Sequence, residues 1–327
     1  MSSLRYAAAA IQTDLPCPRD RAEYPGRLAA LTELIDHAVV GTGPFDDLKL
    51  VVFPEFAHAA PIYPTAAELL DKLALPIPNE FTDQYIRAAR RHRIHIQTGS
   101  FLEASSSHPG VVFNSTCLIG PDGLLATYRK LNPWIPFEVH RSPAEFDTDP
   151  ATVLPVVETE IGCLGVAICY DWLFPEVLRS MALRGCEVLI RVSAYMDPWG
   201  TTEPMDWWTV INRARAIENL AYVVAANQGA SLAHYPPYSW PGGSMIVDYD
   251  GRIVTQASPG PGSKIVIGPI DLDGLRRARE RRRGHQMLRH GRFQPPQLNP
   301  GGAMLETLDP SPPGYFNRNR PSPRSGS

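Results

Sequence analysis

Cys169 lies where a strand should give way to a helix. Leu164 to Ile168 is a short, smooth apolar run, suited to a strand buried on both faces. Pro175, followed by Val177, Leu178, Met181 and Leu183, has the apolar spacing of a helix with proline in its first turn. A cysteine at such a corner projects from a sheet end, beside backbone N–H groups not yet paired within the helix. Those groups lower a thiol pKa and bind an oxyanion. The plain alternative is a small buried hydrophobe, the common state of a free cysteine. Three more polar residues follow apolar runs in the same way. Glu55 ends Leu-Val-Val-Phe-Pro-Glu, Lys130 ends Leu-Ala-Thr-Tyr-Arg-Lys, and Glu138 follows within Leu-Asn-Pro-Trp-Ile-Pro-Phe-Glu. Strand ends in α/β sheets are where dispersed residues meet at one crevice. Singly, each also reads as a solvated carboxylate, a surface ammonium or a capping residue.

The elements that must carry these residues alternate along the chain. Tyr6–Ile11 predicts a first strand, 21–40 a helix, 48–53 a buried strand cut off at Pro54-Glu55, and 56–64 a shaped loop. A helix over 80–92, a strand over 94–101 and a hairpin over 111–129 follow, the hairpin turning at Gly120-Pro121-Asp122-Gly123. Residues 131–155 read as irregular. The second half repeats the alternation: strand 163–168, helix 175–184, strand 188–193, loop 194–204, helix 205–219 and strand 222–226. In the helix over 205–219, Trp208, Ile211, Ala214 and Ile217 are the expected buried face. A second hairpin over 244–256, a strand over 265–270 and an Arg-rich helix over 272–283 complete the pattern. Two similar rounds imply a pseudo-repeated α/β architecture in one domain, about 1–275, followed by a helix and a Pro/Gly-rich extension over 276–327.

Composition sets bounds. The chain has 327 residues, is 44% hydrophobic and carries 31 basic against 34 acidic residues, a balance too near neutral to favour nucleic acid or an acidic membrane as partner. Five scattered cysteines, with no C-x-x-C pair, indicate neither a disulfide framework nor a zinc ribbon and fit a reducing compartment. The run Ala7–Ile11 is too short and lacks the basic flank of a signal peptide, and no stretch has the apolar length of a membrane helix. A cytoplasmic protein is expected.

The segments VVFPEF, YRKLNPWIPFE and ICYDWLFPE, in that order, resemble the three signature segments of the nitrilase superfamily of carbon–nitrogen hydrolases. The resemblance spans roughly residues 4–275. Lys130, Pro133, Trp134 and Glu138 are most similar to the aliphatic amidase and formamidase branch, which also tends to carry a long C-terminal extension. The resemblance implies a four-layer α-β-β-α sandwich that pairs with a second subunit across its helices. It implies Glu55 as general base, Lys130 as oxyanion stabiliser, Cys169 as nucleophile and Glu138 as a fourth, positioning carboxylate. Phe56 stands where these amidases often have Tyr, and Val139-His140 where Gly-Trp is common. Both departures bear on the substrate.

The residues suffice for the chemistry. An amide is a poor electrophile, so the thiol must lose its proton and the tetrahedral adduct must be stabilised. Glu55 can take the proton, and Lys130 with the Tyr170 backbone N–H can meet the oxyanion. Phe56, Trp134, Tyr195 and Trp199 are candidate pocket residues, and Asp171 is expected to be a structural hydrogen-bonding group. The cycle needs no metal or cofactor. His92 and His95 lack acidic or cysteine companions at ligand spacing, and the six arginines of 276–283, with Glu280 among them, read as a solvated or subunit-facing helix. The expected activity is hydrolysis of a small primary amide to an acid and ammonia through a thioester, by a homo-oligomer. Nitrile or N-carbamoyl-amide hydrolysis is the alternative, and a silent binding protein a remote one.

Overall fold

A computed structural model describes residues 4–134, 138–196, 206–229 and 240–291. Five strands come first: β1 (Arg5–Asp14), β2 (Leu48–Val52), β3 (His95–Ala104), β4 (Val112–Gly120) and β5 (Gly123–Arg129). Six more follow: β6 (Val156–Thr159), β7 (Gly162–Ile168), β8 (Val188–Ser193), β9 (Tyr222–Gly229), β10 (Met245–Val247) and β11 (Ile253–Gln256). The last, β12 (Lys264–Asp271), returns to pair antiparallel with β1. The strands make two sheets of similar build. In the first, β2 pairs parallel with β1 and β3, and the β4–β5 hairpin closes one edge. In the second, β7, β8 and β9 are parallel, with β6 beyond β7 and the β10–β11 hairpin beyond β9. The sheets meet where Thr13 and Asp14 of β1 pair with Gln228 and Gly229 of β9.

Helices cover the outer faces. In β1, Ala7, Ala9 and Ile11 pack under α1 (Tyr24–Thr42), while Tyr6, Ala8 and Ala10 face the second sheet. Strand side chains alternate, so one alanine-rich strand serves two cores. A short α2 (Ala66–Lys72) and α3 (Glu80–His92) join α1 on that side, α3 being started by an Asn79–Thr82 capping box. A single turn, α4 (Pro150–Val153), precedes β6. The second sheet is covered by α5 (Pro175–Leu183) and α6 (Trp207–Asn219), whose Leu178, Met181, Trp208 and Ala216 are buried. The order is helix, sheet, sheet, helix. The expected four-layer sandwich is the observed architecture.

Three expectations need correction. The turn α4 falls within 131–155, which was expected to be irregular, and α2 and β6 fall in stretches for which no element was expected; each is too short to show a period. The buried face of α6 is not Trp208-Ile211-Ala214-Ile217: Ile217 is 41% exposed, whereas Asn212, Arg215 and Asn219 are buried beside Trp208 and Ala216. Those polar side chains are turned inward because each finds a partner. Arg215 donates to Trp172 O, Asn219 donates to Arg215 O, and Asn212 accepts from Arg191. The arginines after β12 also have internal work. In α7 (Leu272–Arg281), Arg276 pairs with Glu187 and Arg279 bonds Leu220 O and Cys186 O, while Arg282 pairs with Asp250. A four-residue turn, α8 (Met287–His290), ends the described chain.

Candidate active site

Glu55, Lys130, Glu138 and Cys169 come from three separate stretches, Lys130 and Glu138 sharing one, and gather where the strand ends of both sheets meet. Beyond β2, Pro54 and Glu55 lead into Phe56, which turns the chain at φ 56°. This corner needs room beneath it. Gly99 of β3, at φ 75°, provides it, because a Cβ there would lie 2.5 Å from Pro54 O and 2.7 Å from Ala57 Cβ. The β3–β4 register slips between Gln97 and Ser100 at the same point, and Ser100 Oγ accepts the Phe56 N–H at 2.8 Å. A glycine bulge in one strand thus seats the corner of its neighbour.

The Glu55 carboxylate is 1% exposed and held by three donors. Its Oε1 accepts from Lys130 Nζ at 2.8 Å and from Asn114 Nδ2 at 2.8 Å, and Oε2 accepts from Ala194 N at 2.8 Å. A carboxylate has about four acceptor positions, so one remains, on Oε2. Its backbone is fixed as well, since Glu55 O accepts from Gln228 Nε2 at 2.8 Å. Lys130, also 1% exposed, follows β5 and bonds Asn114 O through its own N–H. Its ammonium donates to Glu55 and to both oxygens of Glu138, at 2.9 and 3.0 Å. Burial alone would lower the lysine pKa, but the two carboxylates outweigh it and hold it well above its ordinary value. Burial likewise opposes ionisation of Glu138, yet Lys130 and then His140 keep that carboxyl below the usual range. Glu138 Oε2 also accepts the Trp134 N–H at 2.8 Å.

Cys169 opens a 3-10 turn, Cys169–Leu173, directly after β7, and stands at φ 47°. The first N–H groups of such a turn have no partner inside it, and the Tyr170 N–H is one of them. Desolvation first, and then the Glu55 charge, push the thiol up to about 12, against the pull of Lys130 and Arg191. Asp171 locks the turn. Fully buried, it accepts from Ile168 N (2.9 Å), Asn132 N (2.8 Å), Asn132 Nδ2 (3.0 Å) and Tyr128 Oη (2.7 Å). It ties the Lys130-bearing strand end to the Cys169 corner, the structural part foreseen for it. Burial raises its pKa to about 6.

The aromatic candidates separate. Phe56 is buried and its ring stacks on His140 at 6.0 Å. Trp134 is half-buried, Tyr170 packs edge-on to Phe174 at 5.2 Å, and Tyr195 lies 5.9 Å from the Trp208 ring with its N–H on Asn227 Oδ1. Trp199 lies outside the described residues. Sequence reasoning missed Asn114 and Gln228, both of which hold Glu55. Gln228 follows the apolar run 222–226 and carried the same strand-end signal as Glu55; Asn114, inside β4, carried none. His92 and His95 serve separate carboxylates, Asp36 at 2.7 Å and Glu160 at 3.6 Å, and among the described residues no three His, Cys, Asp or Glu side chains group as a metal site.

Comparison with known proteins agrees with this geometry. The family model described as carbon-nitrogen hydrolase matches residues 7–280. A formamidase of Photorhabdus laumondii is 31% identical over 257 residues, covering 77% of this chain and 69% of the relative. A formamidase of Bacillus cereus is 29% identical, covering 78% and 71%. Among solved structures, Saccharomyces cerevisiae Nit3, a member of the nitrilase superfamily, superposes with a TM-score of 0.68 at 23% identity over 84% of this chain and 93% of its own. A carbon-nitrogen hydrolase from Helicobacter pylori gives 0.70 at 20% identity, covering 89% and 96%. The match runs unbroken from β1 through α7 and takes in Glu55, Lys130, Glu138 and Cys169, so the chain belongs to the carbon-nitrogen hydrolase family.

Proposed function

We propose that this protein hydrolyses a small primary amide to a carboxylic acid and ammonia, with Cys169 as nucleophile, Glu55 as proton shuttle, Lys130 as oxyanion stabiliser and Glu138 as the carboxylate that positions Lys130. The observation that carries the reading is one buried ammonium shared between two buried carboxylates beside a strained cysteine. With its thiol near 12, Cys169 needs a base at the moment of attack. The free acceptor position on Glu55 Oε2 takes the proton as sulfur bonds to the amide carbon. Lys130 spends its three hydrogens at rest, two of them on Glu138. That doubled contact lets one hydrogen turn to the new oxyanion without giving up Glu138, and the Tyr170 N–H adds a second donor. Collapse breaks the C–N bond, the proton on Glu55 goes to the leaving nitrogen, and ammonia departs. Water then loses a proton to Glu55 and attacks the thioester, releasing the acid and restoring the thiol.

Relatives named formamidase make formamide the first substrate to try, while Phe56 and His140 in the wall set the acyl size. The catalytic domain is about 1–275, with the helix and Pro/Gly-rich stretch of 276–327 as its extension. Exposed Leu183 on α5 and Trp207, Val210 and Ile217 on α6 support a homo-oligomer formed over these helices. Among the described residues no helix is long and apolar enough to cross a membrane, and five free cysteines suit the reducing cytoplasm. The test is ammonia release from a series of primary amides, formamide to aryl amides, with the matching nitriles alongside. Release from amides alone is expected. Release from nitriles alone, or from neither, would overturn the reading.

A further inference from the structure

Arg191, in the middle of β8, is a buried cation that serves the fold through its bond to Asn212 yet has no carboxylate ion-paired with it among the described residues. It is 1% exposed. Nη1 donates to Asn212 Oδ1 at 2.8 Å, and Nε has no partner among the described residues. Three rings surround it as well, the guanidinium carbon lying 4.3 Å from the centroid of Trp208, 5.3 Å from Trp172 and 5.9 Å from Tyr195. Aromatic faces recover part of the cost of desolvating a guanidinium, but a buried charge without a counter-ion remains expensive.

Its place in the sheet indicates which anion it awaits. In the parallel β7–β8 pair, Arg191 lies opposite Ala167 and Val192 opposite Ile168. Side chains alternate, so Arg191 and Ser193 share one face of β8, the face on which Ala167 and the following Cys169 corner lie in β7. Trp172, three residues past Cys169, rests on the guanidinium. The ionisable groups around Arg191 are Cys169, Tyr195, Glu55 and the like-charged Arg215; those around Cys169 are Glu55, Lys130 and Arg191. Lys130 cannot balance a thiolate alone, because once the thiol proton is on Glu55 the remaining carboxylate, Glu138, already offsets the one ammonium.

We propose that Arg191 is a positioning residue for the nucleophile, a caged guanidinium whose charge is balanced when Cys169 ionises or carries the anionic adduct. The proposal rests on Cys169 being the nucleophile. It also implies a trade: replacing Arg191 with an apolar side chain of similar length removes an uncompensated buried charge, so the fold should hold or gain while thiol reactivity falls.

The experiment follows alkylation of Cys169 by iodoacetamide against pH, resolved by peptide mass spectrometry, together with the thermal midpoint of the same samples. Wild type, Arg191→Met and Arg191→Lys are compared, with Cys169→Ala as background. Arg191→Met should slow Cys169 alkylation at neutral pH by about tenfold or more, equivalent to about 1.4 kcal/mol, and shift the profile to higher pH with an unchanged or raised midpoint. Arg191→Lys should keep most of the reactivity. Arg191→Gln, neutral and able to keep the Asn212 bond, carries the test if the Met variant does not fold. An unchanged profile with a lowered midpoint would make Arg191 a packing residue and overturn the proposal. An acyl group found on a residue other than Cys169 during amide turnover would remove the nucleophile assignment itself, and the proposal with it.

Discussion

After β2 the chain turns through Phe56 at φ 56°, and after β7 it turns through Cys169 at φ 47°. Either residue costs roughly 1–3 kcal/mol in that left-handed conformation. At the first corner the strained residue is the neighbour of the functional one. Everything there is tied down: the Phe56 N–H on Ser100, the Glu55 carbonyl on Gln228, and the Glu55 carboxylate on Lys130, Asn114 and Ala194. At the second corner the strained residue is the functional one. The restraint there falls on Asp171 two residues on. The proposed base is frozen in place, and the proposed nucleophile stands on the strained residue itself. A preorganised base needs no rearrangement at the moment of proton transfer.

The comparison can be broken at several points. The largest effect on stability should come from Lys130→Met, which leaves Glu55 and Glu138 buried together without a counter-charge. We expect a loss of roughly 3–5 kcal/mol in chemical denaturation and at least about a hundredfold in kcat. Next, glycine at the two corners should act with opposite signs. Phe56→Gly relieves strain but empties a buried aromatic site and should destabilise by about 3 kcal/mol, whereas Cys169→Gly should be about 1 kcal/mol more stable than Cys169→Ala. Equal signs in denaturant midpoints would mean that strain at Cys169 is not what presents the thiol.

Asp171 sharpens the account through pH. Its folded pKa of about 6 lies above the unfolded carboxyl value, near 3.9. The stability this group contributes is therefore present below about pH 4 and lost as pH rises through 6. Activity should move the other way, because a protonated Asp171 gives up acceptor capacity toward Tyr128 or the turn. We expect kcat to fall on acidification through about 6, and Tyr128→Phe, which removes a bond that favours the carboxylate, to move that limb upward. A pH–rate profile of both proteins checks it. The smallest change should come from Asn114→Ala, which takes one donor from Glu55 and should cost about tenfold in kcat, near the 1.5 kcal/mol of a hydrogen bond to a charged group.

The strand ends were legible because a lone polar residue after an apolar run is conspicuous; Glu55, Lys130 and Cys169 were each found that way. The two-round architecture was legible for a similar reason, since the parallel strands are buried runs and the hairpins turn at Gly-Pro-Asp-Gly and Asp-Tyr-Asp-Gly. What stayed hidden depends on partners. Asn114 reads as one more alternating residue of β4 until Glu55 is placed against it. The inner face of α6 could not be read from apolar spacing, because Asn212, Arg215 and Asn219 are buried by hydrogen bonds to Arg191, Trp172 and one another. Arg191 itself looks like an ordinary charge in Leu-Ile-Arg-Val-Ser, and only burial without a carboxylate marks it.

The most direct test is the intact mass of the protein quenched during turnover of a primary amide. The account predicts a transient increase equal to the acyl group, located at Cys169 by peptide mapping, and neither adduct nor ammonia from Cys169→Ala, whose turnover should fall by at least about ten-thousandfold while the fold survives. Turnover near the wild-type rate in Cys169→Ala, or an acyl group carried on another residue, would contradict it.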